Sequence, residues 1–230
     1  MQIVQANKDA IVKASPKEAL QLKADIEHVT LNELIVKFEA MLSKNLTEPV
    51  WQEFFKENPF ILSLAFTYPV FMVQDQAFVG GASLTGVGNK IADFLVSNRY
   101  TGNLALIEIK RPGTSLLSKT QYRENLFGPS SDLTGAISQV LDQRYALQRN
   151  LDRLKADAEL SQAYGYSIQC ILIVGSNCNT NNERKSFDLV RHSLRDVMVL
   201  TFDELLGKLK DLEKLFAAGK EKEIDDRSPF

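Results

Sequence analysis

Two cysteines in 230 residues, Cys170 inside an apolar run and Cys178 in a polar stretch, are too few for a disulfide framework. His28 and His192 do not complete a zinc-ligand spacing with them. Cysteine usage of this kind fits a reducing cytoplasm. No apolar run approaches the length of a membrane span, and Met1-Gln2-Ile3-Val4-Gln5 lacks the basic and apolar regions of a signal peptide, so a cytoplasmic protein with no membrane partner is expected. A net charge of −2 and a pI near 5.8 exclude a global positive field. Any nucleic-acid face must therefore be local. A phosphate-cradling glycine loop is missing too. Gly86-Val87-Gly88-Asn89-Lys90 has no Gly-Lys-Ser/Thr and leads into a strand, and Ile171-Leu172-Ile173-Val174-Gly175 is followed by no glycine-rich fingerprint of a nucleotide-handling enzyme.

What the chain does have is acid inside apolar strands. Ile91-Ala92-Asp93-Phe94-Leu95-Val96 and Leu104-Ala105-Leu106-Ile107-Glu108-Ile109-Lys110 read as two β-strands joined by a hairpin-length turn at Asn98–Asn103. A charge buried among apolar residues is costly unless it is paired or binds metal, so Asp93 and Glu108 require a partner. A divalent cation would supply one. Residues two apart on a strand share a face, so Glu108 and Lys110 look the same way while Ile109 turns into the core. Two carboxylates and the Ile109 backbone carbonyl make a partial octahedron for Mg²⁺, which keeps several waters and accepts phosphate oxygens in its open positions. With Lys110 to orient a water or stabilise the transition state, this constellation suits phosphodiester hydrolysis.

On these residues the sequence resembles the PD-(D/E)XK nuclease superfamily, with Asp93 as the first motif acid, Ala92 in place of the preceding proline, and Glu108-Ile109-Lys110 as the (D/E)-X-K signature. The resemblance implies a restriction-endonuclease-like α/β core with a central mixed β-sheet flanked by helices. It also implies that a glutamate on the first core helix joins the metal shell. Thr47 to Pro59 reads as that helix, with Thr47 as its cap, Pro49 in its first turn and Asn58-Pro59 as its stop. Glu48 is the better placed acid and Glu53 the weaker one. Helix-dipole stabilisation alone also explains Glu48 in a first turn.

A long helix begins at Asp132, with Ser131 or Asp132 as its cap, and runs past Leu154, carrying Gln139 and Gln143 on one face. Taken together, Trp51-Gln52-Glu53-Phe54, Asp93, Glu108-Ile109-Lys110-Arg111-Pro112 and Ile137-Ser138-Gln139-Val140 resemble the Shedu anti-phage defence nuclease domain over roughly residues 45 to 205. The likeness implies that Asp93, Glu108 and Lys110 are catalytic, with Gln139 steadying the metal or nucleophile and Glu48 a further acidic site residue. It also implies Mg²⁺ as cofactor, with Mn²⁺ able to substitute, DNA as substrate, and a homo-oligomer. No Gln-X-X-X-Tyr occurs, because Tyr145 lies six residues beyond Gln139.

The rest of the chain is read around that core. Residues 1–44 form an N-terminal helical extension whose stripe Leu31, Leu34, Ile35, Phe38, Met41 and Leu42 serves either packing or assembly. Residues 45–218 are the nuclease domain and 219–230 a charged, flexible tail. A first strand covers Tyr68–Gln74, loop material begins at Gly80, and 111–129 reads as a mobile substrate loop. Ser167–Gly175 and Val197–Leu200 are strands around a helix at 182–194, and Thr201 caps the last helix. Asp203 and Glu204 belong to that helix's first turn and are not assigned to metal. Lys90, Arg111, Lys119, Arg123 and Arg144 are the candidate phosphate contacts, against solvated surface as the plain alternative. The non-enzymatic alternative is a catalytically silent nuclease-like module kept for DNA binding or assembly.

Overall fold

The computed structural model describes residues 30–80, 90–155 and 160–225, with side chains through 217. Two units divide the chain: Lys44–Leu205, and Met1–Ser43 with Leu206–Phe230. In the second of these, the described part is helix α1 over 30–42 and the C-terminal part of the last helix. Leu31, Leu34, Ile35, Phe38 and Met41 are all buried, as their helical spacing predicts, and Lys210 pairs with Glu39 at 2.5 Å.

Unit Lys44–Leu205 is built on a five-stranded mixed sheet. The elements in order are α2 (Glu48–Glu57), α3 (Pro59–Ser63), β1 (Val70–Gly80), β2 (Lys90–Asn98), β3 (Asn103–Ile109), β4 (Leu117–Arg123), β5 (Leu126–Pro129), α4 (Ser131–Leu154), β6 (Tyr164–Ile173), α5 (Asn181–Ser193), β7 (Val197–Leu200) and α6 (Phe202–Asp225). The sheet order is β1-β2-β3-β6-β7. β1, β2 and β3 form an antiparallel meander, while β6 and β7 join in parallel. This is the expected α/β architecture: a central mixed sheet flanked by helices. Among the described residues no helix is long and apolar enough to cross a membrane.

Alternation along β3 explains how the sheet is covered on both sides. Leu104 and Leu106 join the core that α4 closes with Leu133, Ala136, Val140 and Leu147. Ala105, Ile107 and Ile109 alternate with them and are equally buried. α2 also packs against β3, and its Trp51, Phe54 and Phe55 form an aromatic cluster with Phe202, with ring centroids of Trp51 and Phe202 4.7 Å apart. The strands are apolar throughout because both faces are covered. Cys170 is part of this core, fully buried, and desolvation pushes its thiol up to about 11. It is packing, as its apolar run suggests.

Several boundaries differ from the sequence reading. β1 extends to Gly80 rather than ending at Gln74, because irregularities in its pairing with β2 accommodate the polar Gln74-Asp75-Gln76 that interrupts the apolar pattern. The segment 111–129 is not a structureless loop. It carries the antiparallel hairpin β4–β5, turning at Glu124-Asn125 with Asn125 at φ 59°, and Phe127 N–H donates to Ser186 Oγ on α5 at 3.0 Å. The alternation rule missed it since β4 is mostly exposed on both faces. Ser130, not Ser131 or Asp132, caps α4, its hydroxyl accepting from Leu133 N–H at 2.9 Å. α6 stays helical to Asp225, beyond Gly219, where composition suggests a loose charged tail.

Gly175 ties the end of β6 to the chain leaving β3. Its N–H donates to Arg111 O at 3.1 Å, its carbonyl accepts from Phe202 N–H at 3.1 Å, and its φ is +68°. A Cβ there would lie 2.8 Å from Thr114 O and 2.7 Å from the Leu116 side chain. Gly175→Ala is therefore expected to destabilise the fold by about 1–3 kcal/mol, through a left-handed backbone and a clash with backbone oxygen. Urea denaturation would check it; an unchanged midpoint would contradict the argument.

Candidate active site

The ladder between β2 and β3 has its last pair at Phe94↔Ile107. One step further, Asp93 and Glu108 would face each other. Here the strands part, and Ile109 N–H donates to the Asp93 carboxylate Oδ2 at 2.7 Å instead of to β2 backbone. On the other side, the pairs Asp75↔Phe94 and Ala77↔Ala92 put Gln76 of β1 across from Asp93. Gln76, Asp93 and Glu108 thus form one row over three strands. Gln76 adopts φ 47°, a conformation that non-glycine residues seldom hold, and aims its amide at Asp93 Oδ1 (3.4 Å).

Both acids lie inside the protein, with 7% of Asp93 and 2% of Glu108 exposed, so each must be satisfied by neighbours. Gln52 Nε2 of α2 donates to Asp93 Oδ1 at 2.8 Å. Glu108 Oε1 accepts from Lys110 Nζ at 2.9 Å and from Gln139 Nε2 at 2.5 Å, and its Oε2 accepts from Gln143 Nε2 at 2.9 Å. Glu48 Oε2 stands 3.7 Å from Lys110 Nζ. The residues singled out in sequence, Glu48, Asp93, Glu108, Lys110 and Gln139, therefore meet in one place. Glu53 acts elsewhere, its charge favouring the Lys56 ammonium.

Electrostatics mark the same spot. Burial and then the charge of Glu108 push the Asp93 carboxyl up to about 7, against the opposing pull of the Ile109 N–H and Lys110. For Lys110, burial disfavours the ammonium, but the hydrogen bond and charge of Glu108, with Glu48 and Asp93, outweigh it and hold its pKa above the ordinary lysine value. Two acids repelling across a strand fork, beside a lysine locked as a cation, form an arrangement matched to an anionic substrate and a hard metal ion.

Residues 45–206 match the family described as Shedu protein SduA, C-terminal. The chain belongs to this family. It is also 33% identical over 213 residues to the Shedu protein SduA of Bacillus cereus (strain B4264), an overlap covering 90% of this chain. The chain spans 56% of that curated relative's length. The Shedu match encloses every residue of the site, from Glu48 on α2 to Gln143 on α4.

Within this Shedu domain the donors suit a divalent cation. Among the described residues no three of His, Cys, Asp and Glu converge on one point, so a cation would rest on two carboxylates, neutral oxygens and water, as Mg²⁺ does. A strand residue directs its N–H and C=O to the same side, so the Ile109 carbonyl faces the fork as its N–H does. Gln143 Oε1 is buried beside Glu108 with no hydrogen-bond partner among the described residues. A dication here would also reverse the repulsion that raises Asp93. The residues fit the group.

The basic candidates are spread more widely. Arg111, Lys119 and Arg123 are exposed on the stretch leaving β3 and on β4, with Arg123 5.6 Å from the centroid of the Tyr122 ring. Lys90 is paired with Asp142, and Arg144 reaches the other way to Asp196, ahead of edge strand β7. Asp203 and Glu204 have structural tasks, Asp203 accepting from Asn177 N–H and Glu204 completing the Thr201 cap and pairing with Arg191. Sequence reasoning assigned no role to Gln52, Gln76 or Gln143. Only Gln143 had a local signal, its helical spacing of four from Gln139.

Proposed function

We propose that this chain is the nuclease domain of an anti-phage defence protein and hydrolyses DNA phosphodiester bonds as a metal-dependent endonuclease. The observation that carries this reading is the fork itself: two buried, mutually repelling carboxylates on β2 and β3 with the Lys110 ammonium against one of them. Asp93, Glu108 and the Ile109 carbonyl would hold Mg²⁺ or Mn²⁺, with Glu48 a further acid at the margin. Bound metal supplies positive charge to the phosphate and lowers the pKa of a water.

The chain's own residues do the rest. Lys110, kept protonated by its acidic neighbours, donates to a phosphate oxygen as negative charge develops and does not act as the base. Gln139 steadies Glu108 through Oε1, the oxygen it shares with Lys110. Arg111, Lys119 and Arg123 are exposed and carry no ion pair among the described residues, so they are free to bind backbone phosphates, with Lys90 and Arg144 joining once released from Asp142 and Asp196. The homo-oligomer implied by the resemblance belongs to the same proposal, and sizing by light scattering would test it.

The deciding experiment offers supercoiled, linear and single-stranded DNA with Mg²⁺, Mn²⁺, Ca²⁺ or chelator. Cleavage with Mg²⁺ or Mn²⁺ that chelator abolishes is the expected result. One observation favours a second reading, a silent DNA-binding or assembly module: every oxygen of the two carboxylates already accepts a hydrogen bond from a protein group. DNA binding without cleavage in every condition would establish that reading instead.

A further inference from the structure

Resting on the nuclease reading, we infer that Gln143 is a positioning residue that sets the separation of Asp93 and Glu108 by fastening Glu108 to the backbone of β2. Four glutamine amides touch the two acids: Gln52 and Gln76 on Asp93, Gln139 and Gln143 on Glu108. Of these Gln143 alone is buried, with 3% of it exposed. Its Nε2 is also the one that reaches two strands. One bond goes to Glu108 Oε2 on β3 (2.9 Å) and the other to Ile91 O on β2 (2.9 Å), two residues before Asp93.

The need for such a clamp follows from the fork. β2 and β3 pair no further than Phe94↔Ile107, and beyond it the Lys110 N–H serves β6, donating to Ile173 O at 2.8 Å. Past that pair the Gln143 amide bridges the two strands, from the Glu108 carboxylate on β3 to the Ile91 carbonyl on β2. Among the described residues, the amide and the Asp93–Ile109 bond are the two crosslinks that span the parted strands. Gln139 has no such reach; it is exposed and bonds only to the Glu108 oxygen already held by Lys110. Removing Gln143 therefore frees one carboxylate to move relative to the other, which weakens a cation that both must grip at once.

Gln143→Met keeps the length and volume of the side chain and deletes both polar atoms, and Gln143→Asn keeps the amide but withdraws it by one methylene. Mn²⁺ affinity measured by electron paramagnetic resonance, with no DNA present, reads the positioning role directly. The expected result is an affinity about 10-fold weaker in either variant, the usual cost of losing a group that orients a ligand. The Mn²⁺ concentration for half-maximal cleavage should rise in proportion, and KM for DNA should stay within about twofold of wild type, since the amide is buried beneath the acids. A purely structural role would lower thermal stability and leave Mn²⁺ affinity intact, which would overturn the inference. Should Gln143→Met fail to fold, Gln143→Asn decides. Wild-type protein that takes up no Mn²⁺ would overturn the nuclease reading and this inference together, whereas wild type that binds Mn²⁺ as the variants do would overturn the inference alone.

Discussion

Lys110→Met is expected to lower the rate of DNA cleavage by about 10²–10³-fold at saturating metal, the range found when one preorganised donor to a developing negative charge is removed. The geometry makes the lysine costly to lose and hard to replace. Its Nζ lies 2.9 Å from Glu108 Oε1 and 3.7 Å from Glu48 Oε2, with 17% of the side chain exposed, so the cation is held by two acids at the mouth of the site. Those acids keep it charged through the neutral range. The deficit should therefore persist from about pH 7 to 9 without narrowing, as it would not if Lys110 worked as a free amine. DNA affinity measured with Ca²⁺ should fall only a few-fold, because exposed cations such as Arg111 and Lys119 remain. A variant that cleaves at the wild-type rate would remove Lys110 from the mechanism.

Much of this site was legible because its chemistry breaks a pattern. Asp93 and Glu108 interrupt apolar, β-branched runs, and a buried acid in a strand demands a reason wherever it occurs. Strand periodicity then placed Lys110 beside Glu108, and helical spacing placed Gln139 and Gln143 together. The core strands and α4 were readable for the same cause, long runs with both faces covered. What stayed hidden depends on tertiary registration. Gln76 reaches Asp93 only through a left-handed residue in an irregular strand, and Gln52 only because α2 packs against the sheet beside it. Neither has a local pattern. Hairpin β4–β5 escaped because solvent-facing strands carry no apolar alternation, and its turn is Glu-Asn rather than a glycine pair.

Asp93→Asn should abolish cleavage and yet stabilise the metal-free protein. The asparagine oxygen can accept from Ile109 N–H as Oδ2 does, and the Gln52 amide can turn its oxygen toward the new NH₂ group, so no buried polar atom is orphaned. What disappears is a charge that burial and Glu108 oppose. The carboxyl titrates at 3.8 in an unperturbed chain and at about 7 here. Between those values the native protein holds a proton that the unfolded chain has released, so wild-type stability falls as pH rises through that window and levels off above it. Asparagine does not titrate. In chelator, the variant's advantage should be small at pH 4, grow toward pH 7 and settle at an order of 1–3 kcal/mol by pH 8, less than the full electrostatic cost because a charged hydrogen-bond acceptor is also lost. Saturating Mn²⁺ should cancel the difference or reverse it, since only the wild-type acid gains from the cation. Urea titrations at the three pH values, with chelator and with Mn²⁺, measure all of this. A variant less stable than wild type at pH 8 in chelator would show that Asp93 is comfortable as a buried anion without metal. The stability withheld at this one position would otherwise be a direct measure of how strongly the fork is built to receive positive charge.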